Sequence, residues 1–286
     1  MMFEANNNLY KTVSKEYPDI TLHNVYGLTI PFSDKWKTIG MNLSGGADSA
    51  CLTMLLAGII EDNNYDCKIQ VISHCRCWTT RPWQLPISIN VYNKLKEKWP
   101  NIIGLRVENY IPPEIEMGAL GFISNNTSGD MFEVSSFNGY IGYRDKLDAI
   151  FNATTKVPSG DEVENIIKKN NVNLPPKRSF AAEEGKRRDV IHYGSEIFYT
   201  CHPFRFIEKD VIISFYHLYN NTDILDITRS CEGDILDDRI KKVMPSVDAY
   251  FNSDAEVPTC NKCFWCTERE WAISSKDKCI EKMKQI

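Results

Sequence analysis

The chain has 286 residues, 43% of them apolar and 25% charged, with 33 basic against 38 acidic side chains for a formal charge of −5. This is the composition of a globular chain with a real core, either one large α/β domain with an appendage or two small domains, and no basic excess points to a polynucleotide. It holds no apolar run of about 18 residues for a transmembrane helix, and Met1 to Tyr10 lacks the pattern of a signal peptide; ten cysteines then indicate a reducing compartment, by default the cytoplasm, where clustered thiols serve metals or catalysis.

Residues 1–36 read as an N-terminal arm of mixed polarity that pairs as an edge hairpin. From 37 to 222 the pattern alternates. A strand at 38–43 is followed by a helix over 48–61, where Cys51, Leu52, Leu55, Leu56, Ile59 and Ile60 recur at helical spacing. Next come a strand at 68–73, a helix over 85–99 and a strand at 102–107. Such alternation predicts a parallel sheet with helices on both faces, with ligands beyond the carboxyl ends of the strands. An inserted region, 112–195, is less regular. Its Gly-, Asn- and Ser-rich stretch 118–139 reads as an active-site loop or lid, followed by helices over 143–152 and 161–170. Val211 to Tyr219 reads as a helix on the core, and 223–286 as a small helical region carrying four cysteines.

The most informative stretch is Leu43-Ser44-Gly45-Gly46-Ala47-Asp48-Ser49, set between the first core strand and its helix. Two glycines let the backbone approach oxygen atoms closely, and the N–H groups of a helix N-terminus favour phosphate. Ser44 and Ser49 add hydroxyls, and Asp48 can cap the helix or face a magnesium ion. No lysine follows the glycines, so the Gly-x-x-x-x-Gly-Lys-Ser/Thr loop is excluded.

Cys260, Cys263 and Cys266 lie at x-x spacing, which suits one zinc ion, with Cys231 as the candidate fourth ligand. An iron–sulfur cluster and unligated packing thiols are the alternatives. Cys75-Arg76-Cys77 follows the second core strand; it reads either as a packing pair or as a thiol-transfer pair. Cys51 and Cys67 read as core, Cys201 and Cys279 have no assignment, and His74 and His202 border the expected site.

The Ser-Gly-Gly-x-Asp-Ser pattern resembles the pyrophosphate loop of the ATP pyrophosphatase superfamily. Together with Cys231 and the later cysteine triplet, Pro203-Phe204, Lys209-Asp210, Thr228-Arg229-Ser230-Cys231, Arg269 and Ala272, it is similar to the 7-cyano-7-deazaguanine synthase family over roughly 37–75 and 200–275. The resemblance implies an adenine-nucleotide α-hydrolase-like α/β fold with a helical zinc-binding C-terminal region. It implies an ATP-dependent carbon–nitrogen ligase of queuosine biosynthesis that adenylates a deazapurine carboxylate and converts it with ammonia to an amide or nitrile, releasing AMP and pyrophosphate. ATP, Mg2+ and structural Zn2+ are the implied cofactors. Residues 43–49 would bind the nucleotide, and Asp48, Ser49 and Lys209 would carry catalysis. Cys231, Cys260, Cys263 and Cys266 would hold the metal. The partners are a small-molecule substrate and ammonia, with no membrane and room for a homodimer. Nucleic acid is not suggested, although Lys186-Arg187-Arg188 keeps a tRNA substrate open. Two departures stand out: 28 residues separate Cys231 from Cys260, and Ser73-His74-Cys75-Arg76-Cys77-Trp78 replaces the family's usual Asp-Tyr-Gly-Gln-Arg-His. They keep two alternatives open, a tRNA sulfur-transferase using Cys75 or Cys77 and a nucleotide-binding partner protein without catalysis.

Overall fold

A computed structural model describes residues 11, 18–75, 84–111, 129–156, 158, 168, 190–193, 196–231, 259–261 and 263–286. A hairpin of β1 (Thr21–Val25) and β2 (Leu28–Phe32) comes first. Its two-residue turn, Tyr26-Gly27, has positive φ at both positions, and the Asn24 side chain accepts from the Gly27 N–H at 2.7 Å. Leu28, Ile30 and Phe32 are fully buried and join the main core, with Phe32 against Trp36 and Tyr65, and the hairpin forms its own two-stranded sheet rather than an edge of the main one.

The main sheet has the order β5 (Ile103–Tyr110), β4 (Lys68–Cys75), β3 (Thr38–Asn42), β6 (Ala149–Phe151), β8 (Glu196–Cys201), β7 (Val190–Tyr193). Five strands are parallel, and only β7 runs against its neighbour. The order reverses after β5, when the chain returns to place β6 on the far side of β3. The carboxyl ends of β3 and β6 therefore flank a topological switch point, where such sheets open a crevice.

The two faces have separate covers. Ile39 and Met41 of β3, with Ile69 and Val71 of β4, face α1 (Ala47–Asp62), α2 (Gln84–Lys98) and α4 (Lys209–Leu218). Helix α1 is apolar nearly all round because it lies between sheet and helices. The opposite face, with Ile72 and Ile150, is covered by Ile141 of α3 (Gly129–Arg144) and by Leu147. Gly40 sits on that face, where a Cβ would lie 2.9 Å from Leu147 and 3.1 Å from Ile150. Helices α5 (Thr222–Ile227) and α6 (Phe264–Met283) complete the described elements, with Trp271, Ala272 and Met283 of α6 in the main core.

The helix expected over 143–152 is absent: α3 ends at Arg144, and β6 occupies 149–151. Three residues buried between layers carry too short a pattern to reveal a strand. The stretch 118–139 is correspondingly not all loop, since α3 begins at Gly129. Residues 118–128, nearly all of the helix expected over 161–170, the spacer 232–258, Lys186-Arg187-Arg188 and Cys77 lie outside the described residues.

Candidate nucleotide and metal site

The chain leaves β3 at Asn42 and enters α1 at Ala47. Gly45 has φ +79, and a Cβ there would lie 2.8 Å from the Ser88 amide nitrogen and 2.9 Å from Ile87. Both facts demand glycine. Gly46 is the N-cap of α1, and no side chain caps that turn. The Ser49 hydroxyl accepts from the Ser44 N–H at 3.2 Å and donates to the Gly46 carbonyl at 3.1 Å, while the Ser44 hydroxyl accepts from the Gly46 N–H at 3.3 Å. The two hydroxyls are 3.1 Å apart. The loop is thus held by its own serines, at the end of a helix whose first N–H groups point outward.

Lys209 starts α4 and is buried, and its ammonium donates to both carboxylate oxygens of Asp48 at 2.5 and 2.6 Å. Glu268 of α6 brings a second carboxylate to 3.9 Å from the same nitrogen. Asp48 is therefore engaged with Lys209 rather than standing alone at the loop. The Tyr216 hydroxyl donates to the Ala47 carbonyl at 2.6 Å, tying α4 to the first turn of α1. Glu268 and Tyr216 escape sequence reasoning. A buried acid two residues past Cys266, on a face shared with Trp271 and Ala272, was the only signal available.

The four cysteines converge. The sulfur atoms of Cys231, Cys260, Cys263 and Cys266 all lie within 4.8 Å of one another. Cys260 and Cys266 are 3.8 Å apart, and Cys263 and Cys266 are 3.6 Å apart. Four thiolates around one ion at about 2.3 Å have sulfurs about 3.8 Å apart, so the group matches a single tetrahedral thiophilic ion. A cluster with each thiolate on its own iron spreads its cysteines more widely. The N–H groups of Cys260 and Cys263 donate to the sulfurs of Cys231 and Cys260, each at 3.3 Å. Hydrogen bonding with Cys231 pushes the Cys263 thiol up to about 12, and the same contact raises Cys266. Four thiols this close do not ionise together without a cation between them, so metal uptake releases protons.

The segment leading to Cys231 touches the glycine loop. The Arg229 N–H donates to the Gly45 carbonyl at 3.0 Å, two residues before Cys231. Arg269, at the other end of the triplet, donates to the Leu225 carbonyl at 2.9 Å and the Thr228 hydroxyl at 2.8 Å. Cys75, 1% exposed at the end of β4, packs with Leu85, Cys231 and Cys260. Cys51, Cys67, Cys201 and Cys279 are buried away from this group.

The molecule is an α/β protein of the parallel-sheet, two-face class, with a glycine–serine loop after its central strand and a four-cysteine group near it. No protein-family model and no curated protein matches the chain. Among solved structures it is similar to the U34-tRNA thiolase NcsA from Methanococcus maripaludis with its 4Fe–4S cluster, at 13% identity and TM-score 0.41, covering 90% of this chain and 82% of that one. It is also similar to the NAD+ synthetase from Burkholderia pseudomallei, at 10% identity and TM-score 0.35, covering 98% and 89%. Likenesses this distant assign no activity to the chain.

Proposed function

We propose that the protein is an ATP pyrophosphatase-type enzyme that activates a carboxylate or amide oxygen by adenylation. The observation that carries this reading is the loop itself: Gly45 at φ +79, Gly46 at the helix N-cap, and the Ser44–Ser49 pair holding the turn open. Backbone N–H groups there suit the β- and γ-phosphates, with Ser44 and Ser49 as hydroxyl donors. Lys209 is the cation of the site and Asp48 is its holder; Asp48 has lone pairs left for magnesium, which would neutralise phosphate charge. Catalysis of this kind is positioning and charge neutralisation.

The substrate carboxylate oxygen attacks the α-phosphorus, the bond to the bridging β-oxygen breaks, and pyrophosphate leaves. Ammonia then adds to the acyl carbon and AMP departs, giving the amide. A second adenylation, on the amide oxygen, followed by loss of AMP and protons, gives the nitrile. We assign the substrate to the deazapurine carboxylates on the motif likeness that spans the loop and the cysteines. The four thiols are assigned to one structural zinc, because they leave no open coordination position.

One observation favours a second reading. Cys75 is buried against Cys231 and Cys260 at the carboxyl end of β4, where a tRNA sulfur-transferase would keep a working thiol. A single assay separates the two. Purified protein with ATP, ammonia and 7-carboxy-7-deazaguanine is expected to release AMP, pyrophosphate and the nitrile. Pyrophosphate release that instead depends on tRNA and disappears in Cys75→Ser supports the sulfur-transferase. Formation of ADP and phosphate overturns both.

A further inference from the structure

We propose that a stepped row of amide and imidazole side chains at the carboxyl end of the sheet is the acceptor subsite, taking a carbonyl or carboxylate oxygen of a planar ring. The proposal deepens the adenylation reading and rests on it. On the face covered by α3 the sheet is apolar up to Ile72, Val107 and Ile150. It then changes character within two residues on four adjacent strands. Asn109 follows Val107 on β5, His74 follows Ile72 on β4, and Asn152 follows Ile150 beyond β6. On β3, Asn42 follows Gly40, and α3 adds Asn138 above them. No charged side chain belongs to this row.

Its hydrogen bonds run one way. Asn109 Nδ2 offers a hydrogen to His74 Nδ1 at 3.2 Å, which makes that nitrogen the acceptor. The other ring nitrogen therefore carries the proton, and it faces the carbonyl oxygens of Asn42 and Asn138, each at 3.1 Å. Asn42 Nδ2 in turn donates to Asn152 Oδ1. Phe137 holds the imidazole edge-on, with ring centroids 5.7 Å apart. Aligned donors polarise one another in such a chain. What remains is the NH2 of Asn152 at one end of the row and that of Asn138 where α3 meets it; neither is among the buried unpaired atoms, and neither has a partner among the described residues.

The row leaves a pair of neutral donors, and a neutral donor matches an oxygen acceptor. Its position gives it a use. Asn152 follows β6, and Asn42 lies on β3 two residues before Ser44, so the donors border the switch-point crevice next to the phosphate loop. An oxygen held there lies beside the phosphates, where adenylation needs it. A ring carrying a carboxylate or a lactam carbonyl fits this site. Adenine has no such oxygen and could meet these donors only through a ring nitrogen.

Titration calorimetry on the full chain tests this with three probes: 7-carboxy-7-deazaguanine, guanine and ATP. Wild type is expected to bind all three. Asn152→Ala should weaken both carbonyl bases roughly tenfold and leave ATP within about twofold. Asn152→Asp, which places a carboxylate against the ligand oxygen, should weaken the carboxylated base further. Asn138→Ala provides the same comparison from a surface helix if the Asn152 variants unfold. Failure of wild type to bind either base, an unchanged affinity in the variants, or a loss confined to ATP would overturn the subsite. Pyrophosphate release is measured in parallel. Its absence sinks the adenylation reading, whereas ATP cleavage without base binding sinks only the subsite.

Discussion

Lys209 and Asp48 stand 161 residues apart in sequence, yet the ammonium of one reaches both carboxylate oxygens of the other, at 2.5 and 2.6 Å. The pair joins the first turn of α4 to the first turn of α1. Lys209 is buried, whereas the Asp48 side chain keeps 22% of its surface. Removing one member of such a pair leaves the other charge poorly compensated. Lys209→Met is expected to cost roughly 3 kcal/mol, because Asp48 and Glu268 lose their shared cation. Asp48→Asn should cost less, about 1–2 kcal/mol, because the amide still accepts one hydrogen bond. Urea denaturation of both single variants and the double variant measures the coupling. Additive losses would show that the pair contributes nothing to stability.

Gly45→Ala tests the loop's backbone. The methyl would meet the Ser88 amide at 2.8 Å in a residue whose φ is +79. Positive φ alone costs an alanine about 1–2 kcal/mol, and the backbone clash forces the loop to move. The expected result is a modest fall in melting temperature with loss of nucleotide binding in calorimetry. Normal ATP affinity in a folded Gly45→Ala protein would remove the loop from the site.

The metal group should control the nucleotide loop. Arg229 donates its N–H to Gly45, two residues from the ligand Cys231. Removing metal with a chelator, or substituting Cys231→Ser, is expected to destabilise the protein and to weaken ATP binding together. Metal analysis should return one zinc per chain. Iron in a ratio above one, or ATP affinity indifferent to metal, contradicts the arrangement described here.

His23 gives the pH dependence a sign. Its ring is half-buried, with Phe32 and Tyr65 edge-on, and burial lowers its pKa from 6.5. The native state therefore favours neutral imidazole. The unfolded chain binds more protons just below pH 6.5, so stability is fully present above that pH and declines as the medium is acidified. Comparing urea midpoints at about pH 7.5 and pH 5.5, the drop should be smaller in His23→Gln than in wild type. An equal drop in both would assign it to other groups.

Much of the site can be read directly along the chain because its parts are local. The strand, glycine turn and helix of the loop occupy consecutive residues, and the cysteine triplet lies within seven. The alternation that builds β3, α1, β4, α2 and β5 is equally visible, since each element is long enough for its period to register. What escaped is what tertiary packing creates. Gly139 and the Ser135-Ser136 pair are poor helix formers, but α3 is secured by Ile141 against Ile72 and Ile150. The row from Asn109 to Asn152 is invisible in sequence, because only strand register brings those residues to one level.

The four thiols come from two places, Cys231 and the segment 260–266, with 28 residues of sequence between them. An ion held by all four thiols would pin those two places together. Once the ends are fixed, length is cheap: the entropy of closing a loop grows only logarithmically, by about 0.6 kcal/mol for each doubling. Changing the number of residues between Cys231 and Cys260 is therefore expected to leave the four thiols and the Arg229–Gly45 contact in place.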